Sequence, residues 1–166
     1  MRSLPSVAVL ALAAAVNACG QAAKVERVEI VETGIYRVEI AKTTQASGTA
    51  TGVRDELANV KLVANTTTVP AQIGTKFGIR YRVVGSPDRA SVKLTVIVRF
   101  PGEGLRNPKT GERKAQDVTV WTRNIGVVTY SGYSFDEGWE LVPGTWTYEV
   151  LHEGRKIAEQ SFTVVK

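Results

Sequence analysis

The chain has 166 residues, 43% hydrophobic and 22% charged, with 21 Lys plus Arg against 16 Asp plus Glu for a formal charge of +5. That length suits one domain with a modest core, and so mild a basic excess permits weak contact with anionic surfaces without calling for nucleic acid. A single Cys rules out an intrachain disulfide. With a single His beside it, the chain also lacks the ligands of an ordinary zinc site and the parts of a Cys/His nucleophile pair.

The first element is an export signal. Arg2 supplies a short positive start, and Leu4–Val16 is an Ala-rich apolar run of 13 residues. That is too short to span a bilayer as a helix, which needs ~20 apolar residues, and it matches a secretory signal core. The segment ends Val16-Asn17-Ala18-Cys19-Gly20, which resembles a bacterial lipobox. Asn17 departs from the usual small or apolar residue at its position. Residues 1–18 are therefore expected to be a lipoprotein-type signal peptide, with Cys19 the lipidated N-terminus of the mature chain. Ordinary cleavage near Ala18 or Ala22–Ala23, giving a soluble periplasmic or secreted protein, is the alternative. A Cys capped by lipid escapes the liability of a free thiol in an oxidising envelope, and two or more acyl chains anchor stably where one does not. Residues 19–24 form a short tether, and residues 25–166 the folded domain. Gly20 is not the Asp of an inner-membrane retention signal, so outer-membrane sorting is expected in a Gram-negative host.

Val25–Ile40 reads as strand interrupted by Gly34, which marks a bulge or a bend. Lys42–Glu56 is rich in Thr, Ser, Gly and Ala without periodicity, and reads as a long loop. Val60, Leu62 and Ala64 alternate as a further strand, and Pro70 marks a strand edge or turn. Phe77, Ile79, Tyr81 and Val83 alternate with polar residues or Gly, as do Val92, Leu94, Val96, Val98 and Phe100. These two strands, joined by Gly85-Ser86-Pro87-Asp88, are expected to pair as a hairpin. Pro101–Asp117 carries three turn signals and reads as a second long loop. Val118–Trp121 restarts strand, and Ile125–Tyr130 continues it past a kink at Arg123-Asn124.

Pro143-Gly144 supplies turn chemistry. Trp146, Tyr148 and Val150 then alternate with Thr147 and Glu149 in a half-buried strand. His152-Glu153-Gly154-Arg155 is a hairpin turn, and Ala158, Phe162 and Val164 share one face of the last strand. No helical window appears outside the signal. Seven or eight strands separated by Gly/Pro turns predict an all-β fold, a single antiparallel sandwich.

Three blocks in this order resemble a bacterial family of secreted proteins known only as domain of unknown function 3859. They are Gly34-Ile35-Tyr36; then Thr67-Thr68-Val69-Pro70-Ala71-Gln72-Ile73-Gly74-Thr75-Lys76-Phe77-Gly78-Ile79; and Tyr133–Asp136 with Glu140-Leu141-Val142-Pro143-Gly144-Thr145-Trp146 and Gln160-Ser161-Phe162. The resemblance implies an Ig-like sandwich. It brings no catalytic residues, and the lipobox is no part of the family pattern.

The candidate contacts lie in loops, where such scaffolds carry function: Thr43–Glu56, Pro101–Asp117 with Arg106 and Arg113, and Asp136–Glu140 with Trp139. Trp139, in a polar loop, is the indole best placed to meet a ligand, whereas Trp146 alternates as a core residue. Asp136 and Glu140 are candidate contacts or a carboxylate pair. Arg80, Arg82, Lys93 and Arg99 are either a basic stripe or a solvated sheet face. His152 is a turn residue. The chain is expected to be a non-catalytic, lipid-anchored envelope protein that uses no cofactor or metal and binds an envelope protein or glycan. A glycan hydrolase built on Asp136 and Glu140, and a structural or chaperone-like module lending an edge strand, are the alternatives.

Overall fold

The computed structural model describes residues 22–166, so Cys19 and the signal segment lie outside the described residues. Eleven strands follow in order: β1 Lys24–Gln45, β2 Val53–Asn65, β3 Thr68–Pro70, β4 Lys76–Ser86, β5 Ser91–Arg99, β6 Leu105–Arg106, β7 Arg113–Lys114, β8 Gln116–Asn124, β9 Val128–Ser134, β10 Gly144–His152 and β11 Arg155–Val165. A 3-10 turn, Gly138–Glu140, lies between β9 and β10. One sheet runs β2-β1-β4-β9 and the other β3-β11-β10-β5-β8, while β6 and β7 pair only with each other. All pairings are antiparallel except the short β3 against β11. The fold is a β-sandwich.

The alternating strands face each other across the sandwich. Phe77, Ile79, Tyr81 and Val83 point inward from β4, Val92, Leu94, Val96 and Val98 from β5, and Trp146, Tyr148 and Val150 from β10; all are buried. Phe77 sits at the centre. Its ring lies 5.2 Å from those of Phe135 and Phe162, 5.7 Å from Trp146 and 6.1 Å from Tyr148, all tilted or edge-on, as aromatic quadrupoles prefer. Two of the buried polar tips are met by backbone. Trp146 Nε1 donates to the Val142 carbonyl at 3.0 Å, and the Tyr148 hydroxyl donates to the Phe77 carbonyl at 3.1 Å.

The closing hairpin forms as expected. Glu153 and Gly154 both take positive φ, 50° and 78°, the geometry of a two-residue turn whose twist matches its strands. Gly34 is a point of close approach, since a Cβ there would lie 1.9 Å from the Ala64 carbonyl oxygen. At this residue β1 passes from pairing with β4 to pairing with β2.

Four expectations are corrected. β4 and β5 do not pair. Both neighbours of each are already taken, β1 and β9 for β4 and β10 and β8 for β5, so the turn between them carries the chain from one sheet to the other. Facing across the core lets each apolar row bury against the other. Secondly, the segment after Val118 is not one kinked strand. β8 and β9 belong to opposite sheets, with buried Ile125 plugging the crossing. Thirdly, Lys42–Glu56 is mostly strand. Pairing of β1 with β2 continues out to Gln45 opposite Val53, leaving only residues 46–52 as a turn. The basic stripe also dissolves. Arg80 and Arg82 lie in one sheet and pair with Glu32 at 3.1 Å and Glu29 at 2.7 Å, while Arg99 lies in the other and pairs with Glu149 at 2.8 Å.

Truncating the central ring removes burial and leaves a void. Phe77→Ala should lower the unfolding free energy by about 3–5 kcal/mol, measured by urea denaturation. Val63→Ala, at a position 61% exposed, should shift it by no more than about 0.5 kcal/mol.

Candidate functional site

The three loop segments come together at one end of the sandwich. Beyond Gly34, β1 and β2 continue as a two-stranded arm whose tip, residues 46–52, reaches across to the other sheet. The tip docks on the start of β8. The Ala50 N–H donates to Asp117 Oδ1 at 2.6 Å, the Val118 N–H donates to the Gly48 carbonyl at 2.9 Å, and Asn107 Nδ2 donates to the Ala50 carbonyl at 3.2 Å. Lys114 Nζ donates to the Ser47 carbonyl. A Cβ on Gly48 would lie 2.3 Å from the Val118 carbonyl oxygen, so the approach needs a glycine. The arm is thereby a strap tied at both ends.

The 101–117 excursion lies beside the tip. It holds the β6–β7 hairpin, with Arg106 directly opposite Arg113. Both are exposed, and Arg113 pairs with Glu103 at 2.5 Å. Lys109 reaches the third segment through Glu137 at 2.7 Å.

That third segment holds a correction. Glu140 is fully buried. Its carboxylate accepts from the Tyr133 hydroxyl at 2.7 Å and from the Asp136 and Glu137 N–H groups at 2.8 and 2.6 Å. Burial raises its pKa against the pull of these bonds. Glu140 is thus a structural clamp on the corner and cannot touch a partner. Asp136, by contrast, is exposed and accepts from Ser134 Oγ at 2.7 Å. The two do not form a carboxylate pair facing one space, which removes the geometry a glycosidase would use. Trp139 is half-buried and packs against the core, so it offers an edge at most. His152 Nδ1 lies 3.1 Å from the Lys93 carbonyl and donates to it. Among the described residues, no group of three or more His, Cys, Asp or Glu is placed to hold a metal ion.

Beneath the strap lies a cleft of about 590 Å³ between β2 and the free edges of β8 and β9. Trp121 stands on the inward face of β8, and the guanidinium carbons of Arg54 and Arg123 each lie 4.4 Å from its ring centroid. Sequence reasoning placed Trp121 only in the Val118–Trp121 strand and Arg123 only at a kink, and passed over Arg54. Its available signal was the alternation Asp117, Thr119, Trp121, Arg123, a polar inward face on a strand that should otherwise have shown apolar residues there.

Asp117 is the other inward polar residue of β8. Burial pushes its pKa up to about 7, against the opposing Ala50 N–H and the Lys114 charge, with the Glu140 charge adding to the rise.

The family model for the domain of unknown function DUF3859 matches residues 24–164. Among solved structures, the chain is similar to an immunoglobulin-like protein from Pseudomonas aeruginosa, with TM-score 0.59 and 28% identity, over 84% of this chain and 98% of that one. The sandwich is therefore Ig-like. A weaker likeness, to the alkylpurine DNA glycosylase AlkC of Pseudomonas fluorescens bound to DNA, has TM-score 0.39 and 12% identity over 60% of this chain and 28% of that one; it bears on nothing here. No curated protein matches the chain.

Two predictions follow from this geometry. Glu140→Ala strips the acceptor from two N–H groups and a hydroxyl, and should lower stability by roughly 2–5 kcal/mol in urea denaturation. The second concerns Asp117, whose folded pKa is raised. Its stabilising contribution is complete below its ordinary value of 3.8 and is lost as pH rises through about 7. Asp117→Asn keeps the acceptor for Ala50 and abolishes the titration. The wild-type chain should therefore lose stability relative to Asp117→Asn between pH 4 and 7, by no more than about 4 kcal/mol. A difference between the two that stays constant with pH would contradict the burial of Asp117.

Proposed function

The chain belongs to the DUF3859 family, and we propose that it is a non-catalytic binding module, held at the envelope membrane by lipid on Cys19, that meets another envelope protein or a glycan with the end where its three excursions converge. The observation that carries this reading is the opposition of the two ends. β1 begins at Lys24 beside Ser86, and the strap tip, the β6–β7 hairpin and the 136–140 corner gather beyond Ile35 and Phe77. Eleven residues of strand, roughly 35 Å, separate the two levels. A tether leaving before Lys24 points the excursions away from the bilayer.

Arg106, Arg113 and Asp136 are exposed charged residues of that end, beside Glu103, Lys109 and Glu112, and form the core of its contact surface. Glu140 supports it from within. The edge-strand alternative is disfavoured at β2, which carries the exposed charges Glu56 and Lys61, charges that oppose pairing with a foreign strand.

Two experiments test this. Cys19→Ser should move the protein from the membrane to the soluble fraction, and the mass of the mature N-terminus should show a diacylated or triacylated Cys19. Affinity purification from solubilised envelope should recover a component with the wild-type protein that is lost with Arg106→Glu/Arg113→Glu. An unlipidated N-terminus sinks the anchor; identical recoveries sink the contact surface.

A further inference from the structure

The cleft under the strap is built differently from the exposed end. Its back wall is core. The edge strands β8 and β9 do not pair with each other, so the sandwich is open along this side, and Val96, Val98 and Tyr148 look out into the cleft. Val38 and Val60 of the strap close it from the front. Its volume of about 590 Å³ falls in the range of small-molecule sites, roughly 300–1,000 Å³.

One side of this space carries two guanidiniums, Arg54 and Arg123, stacked on Trp121. The Nε atoms of Arg54 and Arg123 are buried and have no hydrogen-bond partner, as is the Ser131 hydroxyl nearby. Neither arginine forms an ion pair with a carboxylate among the described residues. The other lining charges have hydrogen-bond or ion-pair partners of their own. Arg80 is paired with Glu32, Lys76 donates to Ser134, Asp55 accepts from Thr43, Asp117 from Ala50 and Asp136 from Ser134. Glu56, exposed on the strap, is the remaining acid. A guanidinium stays charged at any physiological pH, and its planar fork matches a carboxylate or phosphate. Buried donors without partners call for an acceptor. Stacking on Trp121 holds both forks in place before any ligand arrives, which lowers the ordering cost of binding.

We propose that the cleft binds a small amphipathic anion, its carboxylate or phosphate head held by Arg54 and Arg123 and its apolar body laid against Val96, Val98 and Val38. The cleft adjoins the end surface at Asp136, but its arginine pair lies on other residues, and the proposal does not depend on that reading. Ser131 adds a hydroxyl donor to the head or to a polar atom close behind it. The strap contributes Arg54 and the front wall, so binding ligand fastens the arm to β8 more firmly.

The test titrates the full-length protein with decanoate and with decyl phosphate below their micelle concentrations, following Trp fluorescence and heat. Decanol and inorganic phosphate serve as body-only and head-only controls. Saturable one-to-one binding of decanoate or decyl phosphate is expected, at least tenfold tighter than either control. Preference between the two assigns the head as a free carboxylate or as a phosphate ester. Arg54→Gln and Arg123→Gln should each weaken binding at least tenfold. Should these variants fail to fold by circular dichroism, Leu57→Glu serves instead, since it adds an anion at the exposed lip of the cleft. It should weaken both anionic probes and leave decanol unchanged. The proposal is overturned by absence of saturable binding, by decanol binding as tightly as the anions, by folded arginine variants or Leu57→Glu that bind like wild type, or by a neutral extended peptide displacing the probes through the free edges of β8 and β9.

Discussion

Much of this molecule depends on how the tip of the β1–β2 arm is tied to β8. A two-stranded ribbon alone in water is marginal, and beyond Gly34 the arm leaves the cover of β4. What fixes it is a small set of bonds: the Ala50 N–H into the buried Asp117 carboxyl, the Val118 N–H into Gly48, and Asn107 into Ala50. The first of these lies where burial favours the protonated acid. The arm therefore rests on a carboxyl whose ionisation works against the fold, and the glycine at 48 is what allows the backbones to come close enough for the tie to form.

Two surfaces result from this one tie. Drawing the tip onto β8 sets it beside the 101–117 excursion and, through Lys109 and Glu137, beside the corner that Glu140 clamps. Drawing the arm across the open side of the sandwich encloses a space whose back wall is core and whose flank holds two arginines on an indole. The exposed end suits contact with a large partner, because its charges sit on excursions. The cleft suits something small, because it is a concave space of about 590 Å³. Glu140 is spent on two backbone N–H groups and a tyrosine hydroxyl, and His152 on a carbonyl.

The all-β class and the core could be read directly from residue order. The alternation from Phe77 to Val83 and from Val92 to Phe100 named the inward faces correctly, and Glu153-Gly154 specified its own turn. Strand partners were not legible in the same way, because inward alternation is equally satisfied by a hairpin or by two strands facing across a core, and only neighbours far along the chain decide between β4 and β5. Lys42–Glu56 looked like a loop because a ribbon whose inner face covers a polar cleft rather than the core has no apolar row to alternate; Thr-rich composition was its only strand signal. Glu140 looked like a surface acid because its three donors are invisible until the corner folds. Arg123 lies two residues from Trp121 on the same face of β8, a local pattern, but Arg54 reaches that ring from a strand of the other sheet, and nothing local announces its arrival.

The tie at the tip can be measured directly by hydrogen exchange of the Ala50 and Val118 amides in the native protein. Both should exchange slowly, within about tenfold of the amides of β2 that pair with β1, because opening them requires the whole arm to lift. If both exchange at the rate of an unstructured loop while the core strands stay protected, the arm is not a strap, and the cleft and the gathered end lose their common cause.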